Sequence, residues 1–282
     1  MKIGVNLIIS NLKEHPFMFS ISRLALLSLL NSDLILYDYK LAVIDNASTD
    51  ETLRWIKSNI KDNIDIIMLS QNEGIARSRN IGNIHLLNHH NCDYIVEIHN
   101  DHIFPKIWLS PLIEIMEMDK EKKVGMVCSA LITPKGFWGS PVYNIQDDAI
   151  LNRGVENIQS EVTDIAQKSR RDKMSRGLQH PFLKRKEAYL PYNEEFEGSN
   201  FEDVLDLFMI EKQGYKSLVT LRSFVYHSYH KTRIILTKDK WNYYYYHNKK
   251  IFDNKLKEFG EDPVVWKKNL EEDLKKVYQL CH

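Results

Sequence analysis

Val43-Ile44-Asp45-Asn46-Ala47-Ser48-Thr49-Asp50-Glu51-Thr52 decides the fold. Its apolar start predicts a buried strand that ends on the Asp45 carboxylate, and its small hydrogen-bonding residues predict a polar loop. A helix follows, capped by Ser48, Thr49 or Asp50, with Glu51 favoured near its N-terminus by the helix dipole. In an open α/β sheet, ligands sit beyond the C-terminal ends of the strands. Asp45 therefore stands where a nucleotide can be held.

The pattern continues on both sides. Residues 2–10, 40–46, 64–70, 93–99 and 123–132 read as strands, and residues 17–31, 50–59, 73–89 and 107–118 as helices between them. Strands that are nearly all apolar, alternating with helices, predict an α/β fold with a mainly parallel sheet flanked by helices. After Pro134 the pattern dissolves, and residues 134–190 read as long loops over an active site. A helix near 202–213 and a strand near 217–226 restore it. From about 236 the chain turns Lys-rich and aromatic. Trp241, the run Tyr243-Tyr244-Tyr245-Tyr246 and a final amphipathic helix with Trp266, Leu270, Leu274 and Val277 at helical spacing predict a helical C-terminal extension packed on the parent domain.

The 282 residues suffice for one large α/β domain with an appendage, and 43% of them are hydrophobic, as in an ordinary globule. Lys and Arg number 38, balancing 38 Asp and Glu, which argues against a protein built to grip nucleic acid. Cys92, Cys128 and Cys281 are scattered and lack metal-type spacing, which predicts buried thiols in a reducing compartment. No cleavable signal is evident, and the most apolar run, Leu24 to Leu30, is too short to cross a bilayer, so a soluble cytoplasmic protein is expected.

Four further segments carry polar residues at element ends. Asn72-Glu73-Gly74-Ile75-Ala76-Arg77-Ser78-Arg79-Asn80 offers a glycine for close backbone approach, a helix N-terminus suited to negative charge, and Arg79 as a forked donor to phosphate or base. Asp93-Tyr94-Ile95-Val96-Glu97-Ile98-His99-Asn100-Asp101-His102 is a strand emerging from the core into a cluster of possible metal ligands. Glu202-Asp203 opens a helix that runs on to Gly214-Tyr215, and Phe224-Val225-Tyr226-His227 ends a strand on an imidazole, with His230 in reserve. Each has a structural alternative: a cap, a dipole complement or a solvated loop.

In this order and spacing, the segments resemble the inverting nucleotide-sugar glycosyltransferases of family 2, which have the GT-A (Rossmann-like) fold, over roughly residues 1–230. The resemblance implies a GT-A domain over 1–235, with a nucleotide-sugar half (1–132) and an acceptor half (133–235), followed by the extension 236–282. It implies that Asp45, Asn72, Gly74, Arg79, Asn100 and Asp101 bind the donor, and that Asp101, with His227 and His99, holds Mn²⁺ or Mg²⁺ on the diphosphate. It also implies that Asp203, with Glu202 beside it, is the general base for the acceptor hydroxyl. Two positions depart from the family pattern. His99 replaces the first acid of Asp-x-Asp, which favours transition ions over Mg²⁺, and Leu205 stands where many members have a second acid.

The implied partners are a UDP-linked sugar donor and a glycan, lipid-linked or protein acceptor, with no nucleic acid and no transmembrane segment. Lys168, Arg170, Arg171, Lys173 and Arg176, then Lys184-Arg185-Lys186, form a basic run that can fold over a diphosphate or meet a lipid-linked acceptor at a membrane surface. Phe137, Trp138 and Tyr143 are candidates to stack on a sugar ring. Two other functions fit parts of the pattern. A sugar-phosphate nucleotidyltransferase normally has a Gly-rich phosphate loop after its first strand, which Ser10-Asn11-Leu12-Lys13 is not. A non-catalytic nucleotide-sugar-binding protein accommodates His99 and Leu205.

Overall fold

The computed structural model describes residues 1–136, 139–145, 153–228 and 237–279. Phe137, Trp138, His230 and Cys281, all singled out in the sequence, lie outside the described residues, as does the side chain of Val277. The order of elements follows the predicted alternation: β1 (Lys2–Ile9), α1 (Pro16–Leu30), β2 (Asp38–Asn46), α2 (Thr52–Asn59), β3 (Ile64–Leu69), α3 (Gly74–His90) and β4 (Tyr94–His99). Then come β5 (His102–Ile103), α4 (Ser110–Met118) and β6 (Val124–Ile132).

The region read as loops contains elements of its own: α5 (Val155–Ser169), β7 (Met174–Arg176) and β8 (Phe182–Arg185). The α5 helix buries Ile158, Val162 and Ala166, a four-residue spacing diluted in the sequence by its polar surroundings. After it come α6 (Glu202–Lys212), β9 (Lys216–His227), and two helices, α7 (Lys238–Glu258) and α8 (Pro263–Tyr278).

One sheet runs in the order β3-β2-β1-β4-β8-β6-β9-β5, with β7 also on β9. Its first half is parallel, as β2 and β4 flank β1 and β3 flanks β2. The second half is mixed, because β8 inserts antiparallel between β4 and β6, while β6 and β9 run parallel. Helix α3 lies directly on β1: a Cβ on Gly82 would stand 2.3 Å from Asn6 Oδ1, so a side chain here has no room. Asn6 instead donates to Arg79 O (2.9 Å) and Asn83 Oδ1 (2.7 Å), fixing the helix on the strand.

Two large clusters of buried apolar residues flank the sheet. In one, Ile3, Val5, Leu7, Val96 and Ile98 pack with Leu26, Leu29, Trp108 and Leu112. In the other, β6 and β9 pack with Val162, Phe208, Phe252, Trp266, Leu270 and Leu274, so the C-terminal helices complete the core rather than hang from it. The segment Pro16–Leu36, 21 residues, is long and apolar enough by length and composition to cross a membrane, further than the Leu24–Leu30 run suggested. Its Met18, Ile21, Leu24, Leu26 and Leu29 are buried in the core, which accounts for that composition.

Candidate active site

Parallel pairing sets Ile9 beside Asp45 and Ile8 beside His99, so the ends of β2, β1 and β4 form one rim. Asp45 and His99 are then two strand spacings apart, roughly 10 Å. Asp45 is 3% exposed and its Oδ1 accepts the Ser48 N–H (3.1 Å) across the positive-φ residue Ala47. Burial raises its pKa, against the opposing Ser48 hydrogen bonds. Asp50 accepts from the Thr52 N–H (3.0 Å) and hydroxyl (2.8 Å), and Asn11 donates to the Thr52 hydroxyl (2.8 Å), which stiffens the loop.

The other end of that loop meets α3. Asn46 donates to Asn72 Oδ1 (3.1 Å), and Asn72 donates to the Ser10 hydroxyl (3.2 Å). Gly74 has φ +79°, a backbone that glycine adopts without strain. The N-terminus of α3 is partly engaged, since Ile75 N–H donates to Gly198 O (3.1 Å). Arg79 departs from its expected place on the donor. It is 2% exposed and pairs with Glu97, itself 0% exposed, below the rim. A guanidinium held by a buried carboxylate at the helix–sheet contact has no path to a phosphate in this conformation. Asn80, next along, holds the chain at Tyr192 and Glu194 instead. Asn100 likewise turns inward, donating to Asn11 Oδ1 (3.1 Å) and the Ser22 hydroxyl (3.0 Å).

Beyond β4 the chain makes a tight turn through Asp101 into β5, which pairs antiparallel with β9 and sets His102 opposite His227. Ligand atoms of His99, Asp101, His102 and His227 all lie within 4.8 Å of one another. His227 Nε2 stands 3.2 Å from Asp101 Oδ1, and the Ser228 hydroxyl donates to Asp101 Oδ2 (3.1 Å). Burial raises the Asp101 carboxyl, but the facing His227, then His102 and Ser228, outweigh it and hold it well below its usual range. Burial, with the neighbouring His180, Arg79 and His227, pushes the His99 pKa far down and keeps that imidazole neutral, the form that ligates metals. His102 Nδ1 accepts the His99 N–H (3.2 Å), so a neutral ring carries its proton on Nε2, a buried atom with no partner among the described residues. It becomes a ligand through Nε2 by giving up that bond, as His227 does by exchanging its contact with Asp101 Oδ1 for the ion. The donor set fits a divalent transition ion.

His180 was not among the sequence candidates. It lies two residues before Phe182, which pairs with Glu97, and the antiparallel register brings it beside His99, with ring centroids 4.4 Å apart. Its Nε2 stands 3.6 Å from Asp203 Oδ2. Asp101, His227, His99, His180 and Asp203 therefore form one connected series of side chains. In sequence, His180-Pro181 resembles any turn before a short strand, and the pairing with β4 that gives it meaning is invisible there.

Glu202 and Asp203 open α6 after the left-handed residues Gly198, Asn200 and Phe201. The Asp203 side chain keeps 30% of its surface exposed. Burial raises its pKa, but the His180 contact, the Val204 N–H and Arg79 more than offset this and hold it ionised. Glu202 goes the other way: it is 8% exposed, its Oε2 has no partner among the described residues, and burial beside Asp203 pushes its pKa up. Asp206 is turned into the interior, onto Lys184 (2.6 Å).

The basic run does not cover this crevice as a loop. Arg170 bonds Ile107 O (2.5 Å), Arg176 pairs with Glu211 and Asp273, and Arg185 donates to Val124 O and Met116 O. Lys184 is 0% exposed. Lys184 and Arg185 are bound to internal acceptors because β8 lies inside the sheet, and Arg170 and Arg176 are bound to neighbouring elements nearer the surface. Tyr143, expected to stack on sugar, packs edge-on against Tyr226 at 5.5 Å and bonds Glu161.

Comparisons with known proteins bear on this geometry. Among curated proteins none matches the chain in sequence. Solved structures do match in fold. S. aureus TarS in complex with UDP is similar at 16% identity and TM-score 0.53 over 81% of this chain and 60% of its own. GalNAc-T7 with UDP, GalNAc and Mn²⁺ is similar at 15% identity and TM-score 0.57 over 81% and 44%. The mannosyltransferase PcManGT from Pyrobaculum calidifontis, with GDP-Man and Mn²⁺, is similar at 15% identity and TM-score 0.58 over 99% and 72%. The chain thus spans about 60% of the TarS structure it matches. The sequence model described as glycosyl transferase family 2 matches residues 23–171, more than half of the chain. With the shared GT-A fold, the chain belongs to glycosyl transferase family 2.

Proposed function

We propose that this glycosyltransferase inverts the anomeric centre, taking its sugar from a UDP-linked donor and passing it to a hydroxyl acceptor such as a glycan. The supporting observation is the connected series from Asp101 through His227, His99 and His180 to Asp203, which links the candidate donor and acceptor groups through direct side-chain contacts. UDP is the nucleotide bound in TarS and GalNAc-T7, and Asp45 stands where a base or ribose would be held. A buried carboxylate can accept the imide N–H of uracil or a ribose hydroxyl proton. Cys92 and Cys128, both free and buried, suit a cytoplasmic setting.

In this mechanism the acceptor oxygen attacks the anomeric carbon from the face opposite the diphosphate. The new C–O bond forms as the bond to the diphosphate oxygen breaks, and the nucleotide departs with that electron pair. The acceptor proton passes to the ionised, partly exposed Asp203 carboxylate, whose orientation His180 fixes. Asp101, His227 and His99 would hold a divalent ion, Mn²⁺ rather than Mg²⁺ given the imidazoles, and such an ion neutralises charge on a leaving diphosphate. Glu202, protonated and buried, acts as a neighbour of the base rather than as a second base. Residues 1–132 and 133–235 then serve as donor and acceptor halves of one domain, with 236–282 as the helical extension.

Replacing a positioned general base costs on the order of a hundred- to ten-thousand-fold in rate. Asp203→Asn is therefore expected to bind UDP in the presence of Mn²⁺ as the parent does, while losing turnover by that factor. Sugar transfer at near-parental rate would remove Asp203 from the role.

A further inference from the structure

A second group of metal-ligand side chains lies at the opposite edge of the sheet. Asp65 is the second residue of β3, far from the strand's C-terminal end, and His85 and His90 are in the last turns of α3. Because α3 starts at Gly74 on the crevice side and ends at His90, its 17 residues separate the two regions by roughly 25 Å at 1.5 Å per residue.

The geometry here is convergent. His85 Nε2 lies 2.7 Å and His90 Nε2 2.6 Å from the same oxygen, Asp65 Oδ2. The other oxygen, Oδ1, accepts from Lys40 Nζ at 2.6 Å, which fixes the carboxylate so that Oδ2 faces the two rings. The three side chains are 30%, 24% and 20% exposed, open enough for an ion to enter. A third imidazole, exposed His89, has its ring 5.0 Å from that of His85.

We propose that Asp65 Oδ2, His85 Nε2 and His90 Nε2 form a binding site for a divalent transition ion of the zinc class, separate from the crevice and independent of the transferase mechanism. Two imidazoles and a carboxylate suit zinc better than Mg²⁺ or Ca²⁺. At metal–ligand distances of about 2.0–2.2 Å, tetrahedral ligands are roughly 3.4 Å apart, so the triad opens by less than about 1 Å to admit the ion. The two N–H···O bonds are exchanged for two nitrogen–metal bonds and one oxygen–metal bond, and the neutral rings carry their protons on Nδ1. His89 or water completes the coordination. The Lys40 charge opposes a dication, and the ionised Asp65 offsets it. The site would clamp the C-terminus of α3 to β3.

Calorimetric titration of metal-stripped protein with Zn²⁺ tests this. The parent is expected to bind one equivalent more than Asp65→Asn or His85→Gln, or to bind that equivalent at least tenfold more tightly, with any binding in the crevice equal in all three. Unchanged stoichiometry and affinity in both variants overturns the site. Zn²⁺ should also protect His85 and His90 of the unaltered protein from diethyl pyrocarbonate, read peptide by peptide. That measurement decides the matter even where a variant fails to fold: equal modification of both histidines with and without Zn²⁺ refutes the proposal.

Discussion

At the scale of single residues, Glu202 and Asp203 show how neighbours of like chemistry separate. Both are carboxylates in the first turn of α6, yet one meets His180 and partial solvent while the other meets a buried space and its neighbour's charge. Two adjacent acids that cannot both ionise cheaply divide the proton between them. Glu202, with its folded pKa raised above the unfolded value, favours the folded state while protonated. That stability is fully present below the unfolded pKa and is lost as pH rises through the folded one. Glutamine mimics the neutral acid and cannot ionise. Glu202→Gln is therefore expected to keep turnover within a few-fold of the parent and to lose less thermal stability between pH 6 and 9. The gain at the alkaline end should be at least about 2 °C in Tm. Parallel Tm-against-pH curves for the two proteins would show that Glu202 is already ionised in the folded state.

At the scale of elements, legibility followed the strength of the apolar pattern. Strands β1, β2, β4 and β6 read clearly because each carries a run of apolar residues, and α1 to α4 read clearly because each falls between predicted strands. Helix α5 did not, since its four buried positions are spread through polar sequence. Nor did β8, a fully buried strand of four residues that includes Lys184 and Arg185, so polarity disguised an interior strand as a basic loop. Of the site, Asp101 and Asp203 stood out as acids at element ends, whereas His180 depends on β4–β8 register and Arg79 on an interior partner. The C-terminal helices packed as expected, and α7 does more than pack. Asn248 is 0% exposed, accepts from Glu197 N–H (3.0 Å), and donates to the carbonyls of Glu197 (2.8 Å), Ser199 (3.2 Å) and Asn200 (3.1 Å). Those bonds hold the left-handed loop that leads into Asp203. Lost buried hydrogen bonds cost about 1–3 kcal/mol, enough to free the loop without unfolding the domain. Asn248→Ala is expected to lower kcat at least tenfold with UDP affinity unchanged. A kcat within twofold of the parent would mean that the loop holds its shape without α7.

At the scale of the whole molecule, elements far apart in the sequence are joined by a line of buried charge within the domain. Arg79 of α3 pairs with Glu97 of β4, Lys184 of β8 lies 4.0 Å from Glu97 and 2.6 Å from Asp206 of α6, and the Tyr192 hydroxyl donates to Glu97 Oε2 at 2.8 Å. Each charge is almost wholly shielded from water, so each depends on the others for the solvation it has lost. Burying ions this way adds little net stability over well-packed apolar groups, but removing one partner strands the rest. Lys184→Met leaves Glu97 to Arg79 alone and Asp206 with no counter-charge, and is expected to cost about 3–5 kcal/mol in urea denaturation. Adding Asp206→Leu removes the stranded acid, so the double variant should recover most of that loss, giving a coupling energy of at least about 2 kcal/mol. UDP affinity should be unchanged in the double variant, because Asp45 and Asp101 are outside the pair. Additive losses from the two substitutions would mean that Lys184 and Asp206 do not act as a pair in solution.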